Sequence, residues 1–141
     1  PDTDRKRMKQ AKLPPMRFES TDGYPIYVGR NNRQNDELTF RLARKDDIWC
    51  HASKVHGSHV IISCGGTTPP DDTVTQAAQL AAYYAETGGG QNIPVDVTAV
   101  KQVKKIPNGK PGMVIYHTYR TVIANPYPDI VVDALNAETK E

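Results

Sequence analysis

Between Val28 and Asp36 the chain reads Val-Gly-Arg-Asn-Asn-Arg-Gln-Asn-Asp, which puts two arginines and four amide side chains into one short stretch. Placed between a strand and a helix start, such a stretch can hold phosphate, because the unpaired N–H groups and positive dipole end of a helix N-terminus favour anions. The amides of Asn31, Asn32, Gln34 and Asn35 could then address base edges. The plainer reading is a polar loop whose asparagines cap and turn, and Asp36 suits a helix cap as well as it would repel phosphate. Trp49 and His51, two residues apart on a strand, would share one face, the way a sheet offers stacking surfaces to unpaired bases. The plainer reading of a single Trp is an anchor between sheet and helix. Lys54 to His59 adds a short loop in which Gly57 and Ser58 permit close backbone approach. Whether His59 shares the Trp49 face depends on register. Lys101, Lys104 and Lys105, with Lys110 and Arg120 nearby, form a basic patch in a stretch without acid from Val97 to Pro128, suited to phosphate neutralisation. The expectation is that the Arg30–Asp36 loop and the Lys101–Lys105 segment form one continuous binding surface.

Other chemistries find less support. Cys50, His51, His56, His59 and Cys64 invite a zinc reading, yet Cys50 and His51 are adjacent in a strand and point to opposite faces, and no pair has zinc-finger spacing. Both cysteines alternate with Ile48, Val60 and Ile62, which predicts buried inert thiols. Gly109-Lys110 is followed by Pro111, so no phosphate-binding Walker loop begins there. No catalytic residue, metal ligand or cofactor is expected, and the chain reads as a non-enzymatic module.

The elements that must position these residues follow from periodicity. Thr21-Asp22-Gly23 is turn chemistry within a hairpin spanning Arg17 to Val28. A short helix is expected after Asn35 as N-cap, with Asp36 and Glu37 in its first turn, Leu38 and Leu42 buried, and Arg44 and Lys45 at its end. Asp47–Ala52 and Ser58–Cys64 alternate as strands. A helix from Asp71 to Glu86, capped by Asp71 or Asp72, carries Val74, Ala77, Ala78, Ala81, Ala82 and Ala85 at helical spacing and ends at Thr87-Gly88-Gly89-Gly90. Its alanine face predicts close packing on a sheet. Strands near Val95–Val103, Met113–His117 and Arg120–Ala124 complete an α+β fold: a mainly antiparallel sheet with two helices, the Ala-rich one across a face.

At 141 residues the chain suits one domain. No apolar run approaches a membrane span and no charged-then-apolar leader is visible. Two lone cysteines fit a reducing compartment, so the cytoplasm is expected. A net charge of +2 hides two basic blocks: residues 1–17 hold six bases against two acids, and residues 97–128 five against none. Such clustering favours a polyanion partner more than the sum suggests. Residues 1–15 lack an apolar period and end in a Pro pair, which predicts a basic disordered linker. The opening Pro1 suggests a piece of a longer protein, folded from near Met16, with residues 127–141 as a tail.

Several ordered motifs together resemble the NFACT-R domain over residues 16–126. They are Asp22-Gly23, Ile26-Tyr27-Val28-Gly29-Arg30-Asn31-Asn32-Arg33-Gln34-Asn35-Asp36, Leu38-Thr39, Asp47-Ile48-Trp49 with His51, and Gly57-Ser58-His59-Val60. Ala77-Ala78 with Leu80-Ala81, Val95 with Val97-Thr98, Lys101 with Val103-Lys104-Lys105, and Lys110-Pro111-Gly112 extend the set. Cys50 stands where that family often has Phe, and Val97 where Tyr is common. The resemblance implies the C-terminal RNA-binding module of ribosome quality control proteins of the RqcH and NEMF type, also known as FbpA-type fibronectin-binding proteins. Full-length members engage the large ribosomal subunit carrying peptidyl-tRNA and recruit tRNA, in bacteria mostly alanyl-tRNA, for untemplated alanine tailing. The implied partners are tRNA, large-subunit rRNA and the remaining domains of a longer parent chain. Without the NFACT-N domain this chain alone is not expected to support tailing. RNA contacts are then expected from Arg30, Asn31, Asn32, Arg33, Gln34, Asn35, Trp49, His51, Ser58, His59, Lys101, Lys104, Lys105 and Lys110. The competing reading is a surface adhesin or fibronectin-binding interaction module.

Overall fold

The computed structural model describes residues 13–129, 131, 132 and 135. All but the last three residues of the expected linker 1–15, and most of 133–141, lie outside them. The chain forms β1 (Met16–Glu19), β2 (Pro25–Val28), α1 (Asn32–Glu37), a π-helical turn (Leu38–Leu42), β3 (Ile48–Ala52), β4 (Val60–Ile62) and α2 (Asp71–Tyr83). It continues through β5 (Ile93–Ala99), a short 3₁₀ turn (Val100–Gln102), β6 (Lys104–Lys105), β7 (Val114–Ile115) and β8 (Arg120–Ala124). Six strands make one sheet in the order β1-β2-β4-β3-β5-β8, and β6 and β7 pair separately. Every pairing is antiparallel, so the expected α+β architecture is the one observed.

The sheet is covered on both faces. Cys50 lies opposite Val60 and Val97, and with Ile26, Val28 and Ile62 these residues pack on Ala77, Ala78, Ala81 and Ala82 of α2. The four alanines are buried, and their small side chains let the helix backbone close onto the pleat. Val132 joins the same core at 2 % exposure, so the folded unit reaches past Asn125 into the expected tail. On the opposite face Trp49, level with Ile61 and Thr98, meets Leu38, Val100 and Val103, with Tyr27, Phe40, Val114 and Tyr116 around them. Central strand β3 is thus sandwiched between two apolar layers.

Several boundaries differ from expectation. The first helix starts at Asn32, not after Asn35, because Asn31 takes the cap: its Oδ1 accepts the Gln34 amide at 2.8 Å. Its continuation is wound as a π turn, closed by the Ala43 amide on the Leu38 carbonyl. That winding turns Leu42 outward, 62 % exposed, and leaves Arg44 and Lys45 outside the helix. In α2 neither aspartate caps by its side chain: the Pro70 carbonyl accepts the first amides, while Asp71 and Asp72 sit in the first turn, where they complement the dipole. The strand expected over Val95–Val103 runs instead from Ile93 to Ala99, and the 3₁₀ turn after it drops Val100 and Val103 under the Trp49 face. The strand expected at Ser58–Cys64 keeps only Val60–Ile62, and that at Met113–His117 only Val114–Ile115.

Cys50 and Cys64 are buried free thiols in the α2-facing core, and burial pushes the Cys50 thiol up to about 12. Cys50→Ala and Cys64→Ala should each lower stability by about 1–2 kcal/mol without altering ligand binding. In the folded chain Cys50 should resist alkylation at neutral pH and react only on unfolding. Chemical denaturation and timed thiol labelling check both statements.

Candidate nucleic-acid interface

The register puts His59, one residue before β4, on the Trp49 face. The indole N–H of Trp49 donates to His59 Nδ1 at 3.2 Å, and Thr39 Oγ1 lies 2.7 Å from the same nitrogen. An indole nitrogen can only donate, so Nδ1 is an acceptor and the proton sits on Nε2, which donates to the Gly112 carbonyl at 3.0 Å. Both ring nitrogens are satisfied only by neutral imidazole. Burial, with His51 adding to it, accordingly pulls the His59 pKa down to about 3. His59 is therefore a buried positioning residue, 1 % exposed, and not the RNA contact expected of it. It ties the sheet, the π turn and the loop after β6 into one unit.

Asn35 works the same way. Its Oδ1 accepts the His59 backbone amide at 3.0 Å and its Nδ2 donates to the Gly57 carbonyl at 3.4 Å, filling the gap where β2 and β4 diverge. Gly29 makes the room: a Cβ there would stand 1.9 Å from Asn35 Oδ1. Gln34 bridges neighbouring backbone, accepting from the Arg30 amide at 2.7 Å and donating to the Leu13 carbonyl at 2.9 Å. Both amides are buried and their hydrogen bonds are spent on neighbouring backbone; Asn35 only borders the two hollows beside α1. Trp49 is likewise closed off at 0 % exposure, because the π turn and the segment 100–116 cover the face expected to be open.

The two polar segments touch through an ion pair between Asp36 and Lys105. Lys105 Nζ lies 2.8 Å from Asp36 Oδ2 and 5.3 Å from the centre of the Phe40 ring, and the Gly112 amide donates to Asp36 Oδ1 at 3.4 Å. Burial pushes the Asp36 carboxyl up, but the Lys105 and Gly112 hydrogen bonds outweigh it and hold it below its ordinary value. Asp36 thus fastens the basic loop to α1, and Lys105 is partly neutralised in doing so. Lys101 pairs with Asp46 at 3.4 Å and lines neither hollow beside α1, so the patch does not run on as far as that residue. Lys104 is exposed on β6 and Arg33 on α1.

Two adjoining hollows result. The larger, about 490 Å³, lies between Asn32, the 53–57 turn and the loop 106–116, with Lys54, His56 and Lys110 on its walls and His51 lining it. The smaller, about 400 Å³, carries Arg30, Asn31 and Ser58 and shares Asn32, Asn35, His56 and Gly57 with the first. Among the described residues no carboxylate lines the larger hollow; Glu86 lines the smaller. Burial lowers the His51 pKa against the opposing pull of the Ala52 and Gly57 carbonyls and of Asp96. Asp96 is buried and accepts from Tyr116 Oη at 2.5 Å and Thr121 Oγ1 at 3.0 Å, which fixes the Tyr116 ring at the edge of the cleft. Arg30 is already engaged on one side, its Nε donating to the Pro14 carbonyl at 2.8 Å.

Of the expected contacts, the structure gathers Arg30, Asn31, Asn32, His51, Ser58 and Lys110 around one groove. Lys54, His56, Met113 and Tyr116 complete it without having been assigned a role from sequence. The signal for Lys54 and His56 was present in the turn between two alternating strands; that for Met113 and Tyr116 was not, since only the loop's fold-back brings them across from His51. Among the described residues no group of three His, Cys, Asp or Glu side chains converges to hold a metal ion.

Comparisons with known proteins identify the family. The family described as "NFACT protein RNA binding domain" matches residues 15–118. The chain is 46 % identical over 116 residues to the Rqc2 homolog RqcH of Bacillus subtilis, covering 82 % of this chain and 20 % of that protein. It is 44 % identical over 122 residues to its counterpart in Streptococcus pneumoniae, covering 86 % of this chain and 22 % of that one. The chain therefore spans about a fifth of the length of these relatives. Among solved structures, the C-terminal part of the fibronectin/fibrinogen-binding protein from Streptococcus suis superposes with a TM-score of 0.81 at 40 % identity, covering 86 % of this chain and 49 % of that one. Matched over most of its length by the domain family and by relatives 44 and 46 % identical to it, the chain belongs to the NFACT RNA-binding domain family.

Proposed function

We propose that this chain is a non-catalytic, cytoplasmic RNA-binding module whose contact surface is the groove running from Arg30 past Asn32 to Lys110. The observation that carries this reading is the larger hollow, which among the described residues has Lys54 and Lys110 on its walls, no carboxylate, and amide and imidazole groups between them. Phosphate neutralisation by such lysines supplies affinity with little sequence choice, while Asn32 and the half-buried His51 can address a base. The kinship with RqcH homologues supports a place within a longer ribosome quality control factor. In that factor the module would engage tRNA and rRNA of the large ribosomal subunit during alanine tailing, together with the parent's other domains.

The Streptococcus suis neighbour is part of a fibronectin/fibrinogen-binding protein, which favours a second reading as a protein-interaction module. Salt separates the two. RNA affinity should fall steeply with salt through counterion release, whereas an apolar protein contact should depend on it weakly. Changing Lys54 and Lys110 together to Ala should weaken RNA binding across sequences and flatten the log K against log salt slope by about 1.5. Anisotropy titrations at several salt concentrations measure this, and an unchanged slope removes these lysines from the interface. Lys104→Ala with Lys105→Ala should flatten it less, since Asp36 already holds Lys105.

A further inference from the structure

The rings of Trp49 and His51 lie 5.5 Å apart and within 5° of parallel. Trp49 is shut inside the protein, but His51, two residues nearer the 53–57 turn along β3, lines the larger hollow. The stack therefore leads out of the core and into the cleft. Two apolar side chains on the same walls, Met113 at 48 % and Val55 at 37 % exposure, are solvent-facing although each is large enough to be buried. Lys54 and Lys110 stand beside them, and Asn32 offers an amide with both a donor and an acceptor. A hollow of about 490 Å³ is of the size that takes one small ligand. A double helix keeps its base faces stacked on one another and offers side chains only groove edges and phosphates. An imidazole face flanked by Met and Val has no use for those; it suits the π-face of a base that is out of its stack.

We infer that this cleft receives one unpaired nucleotide of RNA, its base laid on His51 as the next member of the Trp49–His51 stack and flanked by Met113 and Val55, its phosphates beside Lys54 and Lys110. The inference rests on the RNA-binding reading and adds to it a preference for single-stranded over paired RNA. His51 in its neutral form, favoured by its burial, presents an uncharged ring to the base and leaves phosphate neutralisation to the lysines.

The test compares a labelled oligoadenylate with a blunt RNA duplex of equal length, titrated by anisotropy against the unaltered chain, Met113→Glu and His51→Ala. Met113 is exposed, so its change to Glu leaves the core intact while placing a carboxylate on the cleft wall; thermal melts verify the fold of each variant. The single strand should bind more tightly than the duplex; His51→Ala should weaken the single strand about ten-fold while moving duplex affinity by less than about two-fold, and Met113→Glu, whose carboxylate stands beside Lys54 and Lys110, should weaken both but the single strand several-fold more. If His51→Ala does not fold, Met113→Glu decides alone. Equal affinity for both forms, or equal losses on both in Met113→Glu, overturns the nucleotide pocket and leaves phosphate-driven RNA binding standing. Failure of the unaltered chain to bind either RNA overturns the RNA-binding reading and the pocket with it.

Discussion

Trp49→Ala is expected to cost about 3–5 kcal/mol of folding stability, the largest effect of any single substitution considered for this chain. The indole is fully buried among Leu38, Ile61, Val100 and Val103, so truncation leaves a cavity that neighbours on a central strand cannot collapse to fill. It also removes one of the donors that hold His59 Nδ1. Because His59 fastens Gly112, loosening should spread to the loop bearing Lys110, and RNA affinity should fall as a consequence of stability. Trp49→Phe, which keeps most of the volume and loses only the N–H, should fall well short of that cost. Urea denaturation of the three proteins measures the difference. A Trp49→Ala variant that keeps nearly full stability yet loses RNA binding would return the indole to the role of an exposed base platform.

Acidification should destabilise the domain through His59. In the folded chain this imidazole stays neutral down to about pH 3, whereas in the unfolded chain it binds a proton near its ordinary value of about 6.5. Within that window the unfolded state holds more protons, so stability falls as pH falls, by about 1.4 kcal/mol per unit; above it His59 contributes no dependence. His51, also held below its ordinary value by burial, acts in the same direction. Asp36, held low by Lys105 and Gly112, adds a loss only further down, through the carboxylate range. His59→Gln lacks the titrating group, so its stability should start lower yet decline less steeply between about pH 7 and about pH 5. Denaturation midpoints across that range decide the matter: parallel slopes for the two proteins would mean that His59 is not the group being titrated.

Alternation and composition were enough to read the β1–β2 hairpin, the pairing of β3 with β4, and the Ala-rich helix across one sheet face. Each depends on local rules: side chains of a strand alternate between faces, a Gly-containing turn reverses the chain, and small residues at helical spacing mark a close-packed face. The polar strings around Arg30, Trp49 and Lys101 likewise identified the family, because order and residue type survive without coordinates. What local rules could not reach was the second layer. Whether Trp49 faces water depends on the segment 38–42 winding as a π turn and on the residues after β5, some fifty positions further along the chain, folding over it. The same holds for the division of labour within the motifs. Asn35, Gln34 and His59 have the chemistry of ligand-binding groups, and their neighbours in space turn that chemistry inward: every donor and acceptor lost to water on burial must find a partner. Lys105 and Lys101 were legible as charge but not as charge already balanced, since Asp36 and Asp46 lie more than fifty residues away along the sequence. Sequence alone therefore determined the fold class, the family and the basic, amide-rich character of the chain. Tertiary structure decided which of those groups face the groove, because burial and ion pairing are set by long-range packing rather than by residue type.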